Sequence, residues 1–168
     1  MVADVLRLML FPAMMAFAAS SDLLTMTISN RVSLILVGSF CVAALATGMS
    51  APDIAAHAGA AGTMLVAGFL CFTRGWIGGG DAKLAAATAL WFGFDYLPSY
   101  LVYASLFGGV LTIALLQYRM WPMPRWLAGQ EWAERLHHKD TGVPYGIALA
   151  AAALVIYPET PWMAALAF

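Results

Sequence analysis

Long apolar runs separated by short polar breaks dominate the chain. Six can be marked, at 5–21, 32–49, 54–73, 82–96, 99–118 and 143–157. A helix crosses a hydrocarbon core in roughly 20 residues, or about 17 when short, so each run predicts a spanning helix. The fourth and sixth runs are the shortest. The expected fold is therefore all-α: a polytopic membrane protein of six transmembrane helices, forming a single integral membrane domain over 1–168. Asp4 and Arg7 accompany the first run, which leads on into further apolar runs. It reads as a retained span rather than a cleaved signal peptide.

One long polar stretch interrupts this pattern, at 119–142. It holds Trp121-Pro122-Met123-Pro124, Trp126, Trp132 and His137-His138. After Pro124, the side chains of Trp126, Leu127, Ala133 and Leu136 form one apolar face of a short predicted helix. Tryptophan favours the headgroup level, so the stretch is expected to lie on the membrane surface.

Composition agrees with the pattern. The chain is 62% hydrophobic and 10% charged, more apolar surface than a soluble domain of 168 residues can hide. A net charge of −1 with no basic arm excludes a nucleic-acid-binding role. Cys41 and Cys71 form no CxxC pair, so no zinc knuckle is expected, nor a disulfide. Gly59, Gly62, Gly68 and Gly108-Gly109 are expected to serve close helix packing.

Charge placement gives the orientation. With the N-terminus outside, Arg31, Arg74, Lys83, Arg119, Arg125, Arg135 and Lys139 belong to the inner segments, leaving Arg7 outside among eight basic residues. The positive-inside rule demands that bias, and Asp4, Asp53, Asp95 and Glu159 fall outside. Both termini are thus expected outside the cytoplasm. On that topology Asp22 and the run Gly78-Gly79-Gly80-Asp81 share the cytoplasmic face, although neither was used to set it.

Carboxylates at a bilayer edge are costly and demand a reason. Asp81 follows three glycines and opens an alanine-rich helix. That is a natural N-cap position. The same geometry suits catalysis, because a helix N-terminus favours negative charge and glycines leave room for an extended peptide. Asp22 alone reads as a solvated headgroup residue or a turn cap. Together the two can share one proton, since carboxylates about 3 Å apart cannot both ionise. One then serves as general base on water while its protonated partner polarises the scissile carbonyl. No metal or cofactor is required. Asn30, Arg31 and Lys83 are candidates for orienting the pair or gripping substrate backbone. His57 is expected to pack near the outer side, and His137-His138 to be solvated.

Three motifs resemble a known family. Gly78-Gly79-Gly80-Asp81-Ala82-Lys83 resembles the GxGDxK signature of type IV prepilin peptidases. Asp22 with Ile28-Ser29-Asn30 resembles their first motif, an aspartate followed by a basic turn and Ile-Pro-Asn. Pro144-Tyr145-Gly146 resembles their Pro-Tyr/Phe-Gly element. Ser29 stands where the family has proline, and 23–27 lacks its basic residues. The short length resembles the single-domain class of tight-adherence (Flp-type) pilus systems.

The resemblance implies a membrane aspartic endopeptidase with Asp22 and Asp81 as its catalytic pair. Gly78, Gly79, Gly80, Lys83, Asn30, Pro144, Tyr145 and Gly146 would bind substrate or support the pair. Its partners would be the lipid bilayer and a prepilin or pseudopilin with a basic leader and an apolar helix. It would sit in the bacterial inner membrane with its active site facing the cytoplasm. Without a cysteine-rich insertion, methyltransferase activity is not expected. Presenilin-type GxGD proteases are more distant, since their YD motif is absent. The reading from another class is a non-enzymatic assembly or proton-path component, in which one interfacial carboxylate serves alone. An inactive peptidase homologue is a third.

Overall fold

The computed structural model describes residues 6–124 and 127–164, and these contain helices and turns but no strand. Asp4, Arg125 and Trp126 lie outside the described residues. Seven α-helices follow in order: α1 Phe11–Thr25, α2 Asn30–Ala46, α3 Ala51–Thr73, α4 Gly79–Met120, α5 Glu131–His137, α6 Tyr145–Ile156 and α7 Pro161–Ala164. A π-helical turn, Leu6–Leu10, leads into α1. Pro12, in the first turn of α1, has no N–H to donate backward, which accounts for the altered winding before it. Three segments are long and apolar enough to cross a membrane: Arg7–Thr25, Ala51–Thr73 and Gly79–Met120. Asn30–Ala46 and Tyr145–Glu159 are shorter apolar helices.

Helix α4 joins two of the predicted runs. Its 42 residues would extend about 63 Å if straight, twice the roughly 30 Å of a hydrocarbon core. It is not straight. Gly93 breaks it with φ 61° and ψ −171°, a conformation open to glycine and strained for other residues. Pro98 follows soon after. The second limb then runs back along the first, so that Ala104 lines a cavity with Asp81.

The break frees backbone carbonyls, and side chains from elsewhere satisfy them. His57 Nδ1 on α3 stands 2.7 Å from the Leu90 oxygen. Trp162 on α7 donates its indole N–H to the Trp91 oxygen at 2.6 Å. An unpaired buried carbonyl is expensive, so these two contacts hold the hairpin tip closed. His57 is therefore a packed residue, as the sequence led one to expect.

Around the tip lies an aromatic core. Phe11 stacks on Tyr157 at 4.2 Å between ring centres and tilts against Trp91 at 5.1 Å. Trp91 is fully buried and donates its N–H to the Leu36 oxygen at 3.0 Å, tying α4 to α2. Elsewhere the helices meet through alanines, among them Ala82, Ala85, Ala89 of α4 and Ala148, Ala150, Ala153 of α6. Small side chains let backbones approach closely and gain dispersion contacts that lipid would not supply. Cys41 and Cys71 are free thiols.

The polar stretch is anchored, though its helix starts later than the sequence pattern indicates. Glu131–His137 is helical, with Ala133 and Leu136 buried, whereas Leu127 sits in a turn. Arg119 at the end of α4 donates to the Leu136, Thr141 and Gly142 oxygens. Arg135 donates to the Leu24 oxygen at 2.7 Å. These bonds fix the stretch beside the C-terminal end of α1. His137 is not simply solvated, since its Nε2 lies 2.9 Å from the Trp121 oxygen.

Trp162→Phe keeps an aromatic side chain but removes the indole N–H and leaves the Trp91 carbonyl unpaired, a loss of about 1–3 kcal/mol. The thermal midpoint of the protein in detergent, followed by circular dichroism, is expected to fall. An unchanged midpoint would remove the capping role from the indole N–H.

Candidate active site

The site lies at the bundle end away from Arg7, which stands about 22 Å before Asp22 along the helical stretch at 1.5 Å per residue. Asp22 occupies the last turn of α1. The helix stops four residues later because Met26 adopts a left-handed conformation, φ 57°, and returns its N–H to the Asp22 oxygen at 2.8 Å. Hydroxyls then stitch the turn. Ser21 donates to the Thr27 oxygen at 2.8 Å, and the hydroxyls of Thr25 and Thr27 lie 2.7 Å apart. Ser29 caps α2 by accepting from Arg31 N–H.

Asp22 is only 5% exposed. Its carboxylate accepts the backbone N–H of Gly146 at 2.7 Å. That amide belongs to the first turn of α6, whose early N–H groups have no partner within the helix. Gly146 has no alternative at this position. A Cβ there would stand 2.5 Å from Ile28 Cδ1 and 2.8 Å from an Asp22 carboxylate oxygen. Pro144 occupies the N-cap of α6, and Tyr145 donates its hydroxyl to the Ala104 oxygen at 3.4 Å.

Asp81 is not the N-cap residue of α4. Gly78 takes that position in an extended conformation, and the helix begins at Gly79. Asp81 thus lies in the first turn with its carboxylate folded back over Gly78, where a Cβ would meet Oδ2 at 2.9 Å. Gly80 packs on the α1–α2 turn: a Cβ would stand 3.2 Å from Ile28 Cβ and 3.3 Å from its carbonyl oxygen. Two of the three glycines therefore also admit parts of this chain, Asp81 at Gly78 and Ile28 at Gly80.

The fold brings Asp22 and Asp81 to one cavity of about 280 Å³, walled also by Met26, Thr27, Ile28 and the three glycines. Lys83 and Asn30 meet as well. The ammonium donates to Asn30 Oδ1 at 2.9 Å, linking the starts of α2 and α4, and both residues line a separate apolar groove. Among the described residues no cluster of three or more His, Cys, Asp or Glu side chains is placed to hold a metal ion.

Sequence reasoning named Gly146 as a supporting residue but did not identify its amide as the partner of Asp22, and it missed Met26 and Thr27, which wall the cavity. Neither Met nor Thr announces such a role.

Two carboxylates lining one cavity at the end of a bundle of long apolar helices mark a membrane protein with a candidate site. The comparison with known families agrees: residues 9–113, more than half of the chain, match the model of the type IV leader peptidase family. The chain belongs to that family, which makes it a membrane peptidase. No curated protein and no solved structure matches it. Pro144, Tyr145 and Gly146 lie beyond the matched stretch and are joined to it through the Gly146–Asp22 bond.

Gly146→Ala is expected to push Ile28 or the Asp22 carboxylate out of place. Peptidase activity should fall roughly 10²-fold, the effect of misplacing reacting groups by about 1 Å, while the helical circular dichroism is retained. Full activity in the alanine variant would show that this contact does not position Asp22.

Proposed function

We propose that Asp22 and Asp81 are the catalytic dyad of an aspartic endopeptidase that removes the leader from type IV, Flp-like prepilins or pseudopilins at the cytoplasmic face. The reading rests above all on one observation: carboxylates from α1 and α4 line the same cavity. About 280 Å³ leaves room for water, which occupies about 30 Å³ per molecule in the liquid.

The chemistry follows from two carboxylates holding one proton between them. The ionised member takes a proton from water as the oxygen attacks the scissile carbonyl. The protonated member donates a hydrogen bond to the carbonyl oxygen and stabilises the tetrahedral intermediate. As the C–N bond breaks, a proton passes from the dyad to the departing nitrogen. One carboxyl then again carries a proton, and no cofactor enters. The Gly146 amide holds Asp22 in place throughout, while Asn30 and Lys83 support the turn beside it.

The substrate would carry a basic leader on the cytoplasmic side and an apolar helix in the bilayer. The host membrane would be the bacterial inner membrane, and no methyltransferase activity is expected of this chain. The positive-inside bias of the inner segments supports that orientation, and Arg119 and Arg135 hold the polar stretch against the dyad end of the bundle.

Asp22→Asn and Asp81→Asn are each expected to reduce leader removal from a prepilin by roughly 10²–10⁴-fold without lowering the amount of protein in the membrane. Size analysis of the substrate provides the readout. If either single variant retains full cleavage, the dyad is wrong, and a single carboxylate serving a proton path becomes the better account.

The orientation has its own test. Alkaline phosphatase fused at the C-terminus should be active, since that enzyme works outside the cytoplasm, and should be inactive when inserted within 127–130. The reverse pattern would turn the site to the wrong face for leaders displayed in the cytoplasm.

A further inference from the structure

Asp81 borders a second space. A slot of about 180 Å³ has Asp81 and Ala85 in its floor, Gly68 and Cys71 on its α3 wall, and Leu101 and Ser105 on the second limb of α4. Its surface is almost wholly apolar, and Asp81 is its one ionisable carboxylate. Leu101 and Ser105 also border a shallow groove of about 380 Å³ on the outside of the bundle, completed by the exposed Val102 and Leu106. Mostly apolar surface, with the Ser105 hydroxyl turned back to the Leu101 oxygen, thus runs from the outside of the bundle to a proposed catalytic carboxylate.

We infer that this slot and groove together seat the apolar helix of the substrate, on the membrane side of the bond to be cut. This rests on the reading of Asp22 and Asp81 as the dyad. The slot is too small for a helix and takes side chains, so the helix lies in the outer groove and projects side chains inward. Gly68 sets the spacing of the slot's walls, since it packs on the first limb of α4, where an added Cβ would stand 3.0 Å from Ala82 Cβ. Continuity with Asp81 selects this place over a larger apolar groove of about 400 Å³ between α2 and α3, which neither aspartate lines. Lys83 borders that other groove, two residues beyond Asp81 and about 200° around the helix.

The test uses the full-length protein in lipid vesicles. One substrate is a prepilin with its leader and apolar helix; the other is a short peptide that spans the cleavage site and lacks the helix. Ala67→Trp and Ser105→Trp fill the slot from its rim and should lower cleavage of the prepilin about tenfold or more, the scale of altered apolar pocket contacts. Both should cleave the short peptide at the rate of the unaltered protein. Gly62→Trp fills the competing groove and should leave both activities unchanged. The native thiols give a readout independent of folding of these variants. In Asp22→Asn, used to hold substrate uncut, prepilin should slow maleimide labelling of Cys71 and leave that of Cys41 on α2 unaltered. Equal prepilin cleavage by the slot variants, loss confined to Gly62→Trp, or unprotected Cys71 would each overturn the inference while leaving the dyad intact. If the unaltered protein cuts no prepilin, the dyad falls first and the slot with it.

Discussion

A carboxylate buried among apolar helices needs a donor, and for Asp22 that donor is the backbone N–H of Gly146. This bond constrains much else. It joins the end of α1 to the start of α6, using an amide that the helix leaves unpaired. It also demands a residue without a Cβ, because Ile28 and the carboxylate occupy that space. Ile28 in turn lies against Gly80, so the same turn that packs on α6 also fixes the start of α4. Asp81 is positioned by that start. The arrangement of both aspartates therefore depends on one peptide group and on two glycines that allow backbones to meet.

At the other end of the bundle a different chemistry prevails. Gly93 reverses α4, and His57 and Trp162 supply the donors that the interrupted helix lacks. Phe11, Trp91 and Tyr157 fill the space around the reversal with rings. Helix α1 runs from this aromatic core to Asp22, and the first limb of α4 runs from it to Asp81. The core thus bears on the site through rigid helices. Alanine contacts between α4 and α6 carry the packing along the way.

Much of this was legible in the residues. Apolar runs located the long helices to within a few positions, although 82–96 and 99–118 fall in the single element α4, interrupted at Gly93; the bilayer imposes a length and a hydropathy that soluble folds do not. The sequence also set Asp22 and Asp81 apart, since ionisable groups are rare in such a chain. Details of caps were less legible. Asp81 follows three glycines and looks like an N-cap, yet Gly78 holds that position and Asp81 stands inside the first turn. Both choices are compatible with the local sequence; packing of Gly80 on Ile28 selects one.

The residues alone determined an all-helical chain rich in apolar surface, two exceptional carboxylates and the motifs that carry its family likeness. They did so because hydropathy, length and charge are properties of local composition. Only the tertiary structure decided that Gly146 partners Asp22, that Met26 and Thr27 wall the cavity, and that a reversal at Gly93 brings Ala104 back beside Asp81. Those are distances between segments far apart in the chain, set by which backbones can approach without a side chain between them. No pattern along a single strand of sequence encodes that approach.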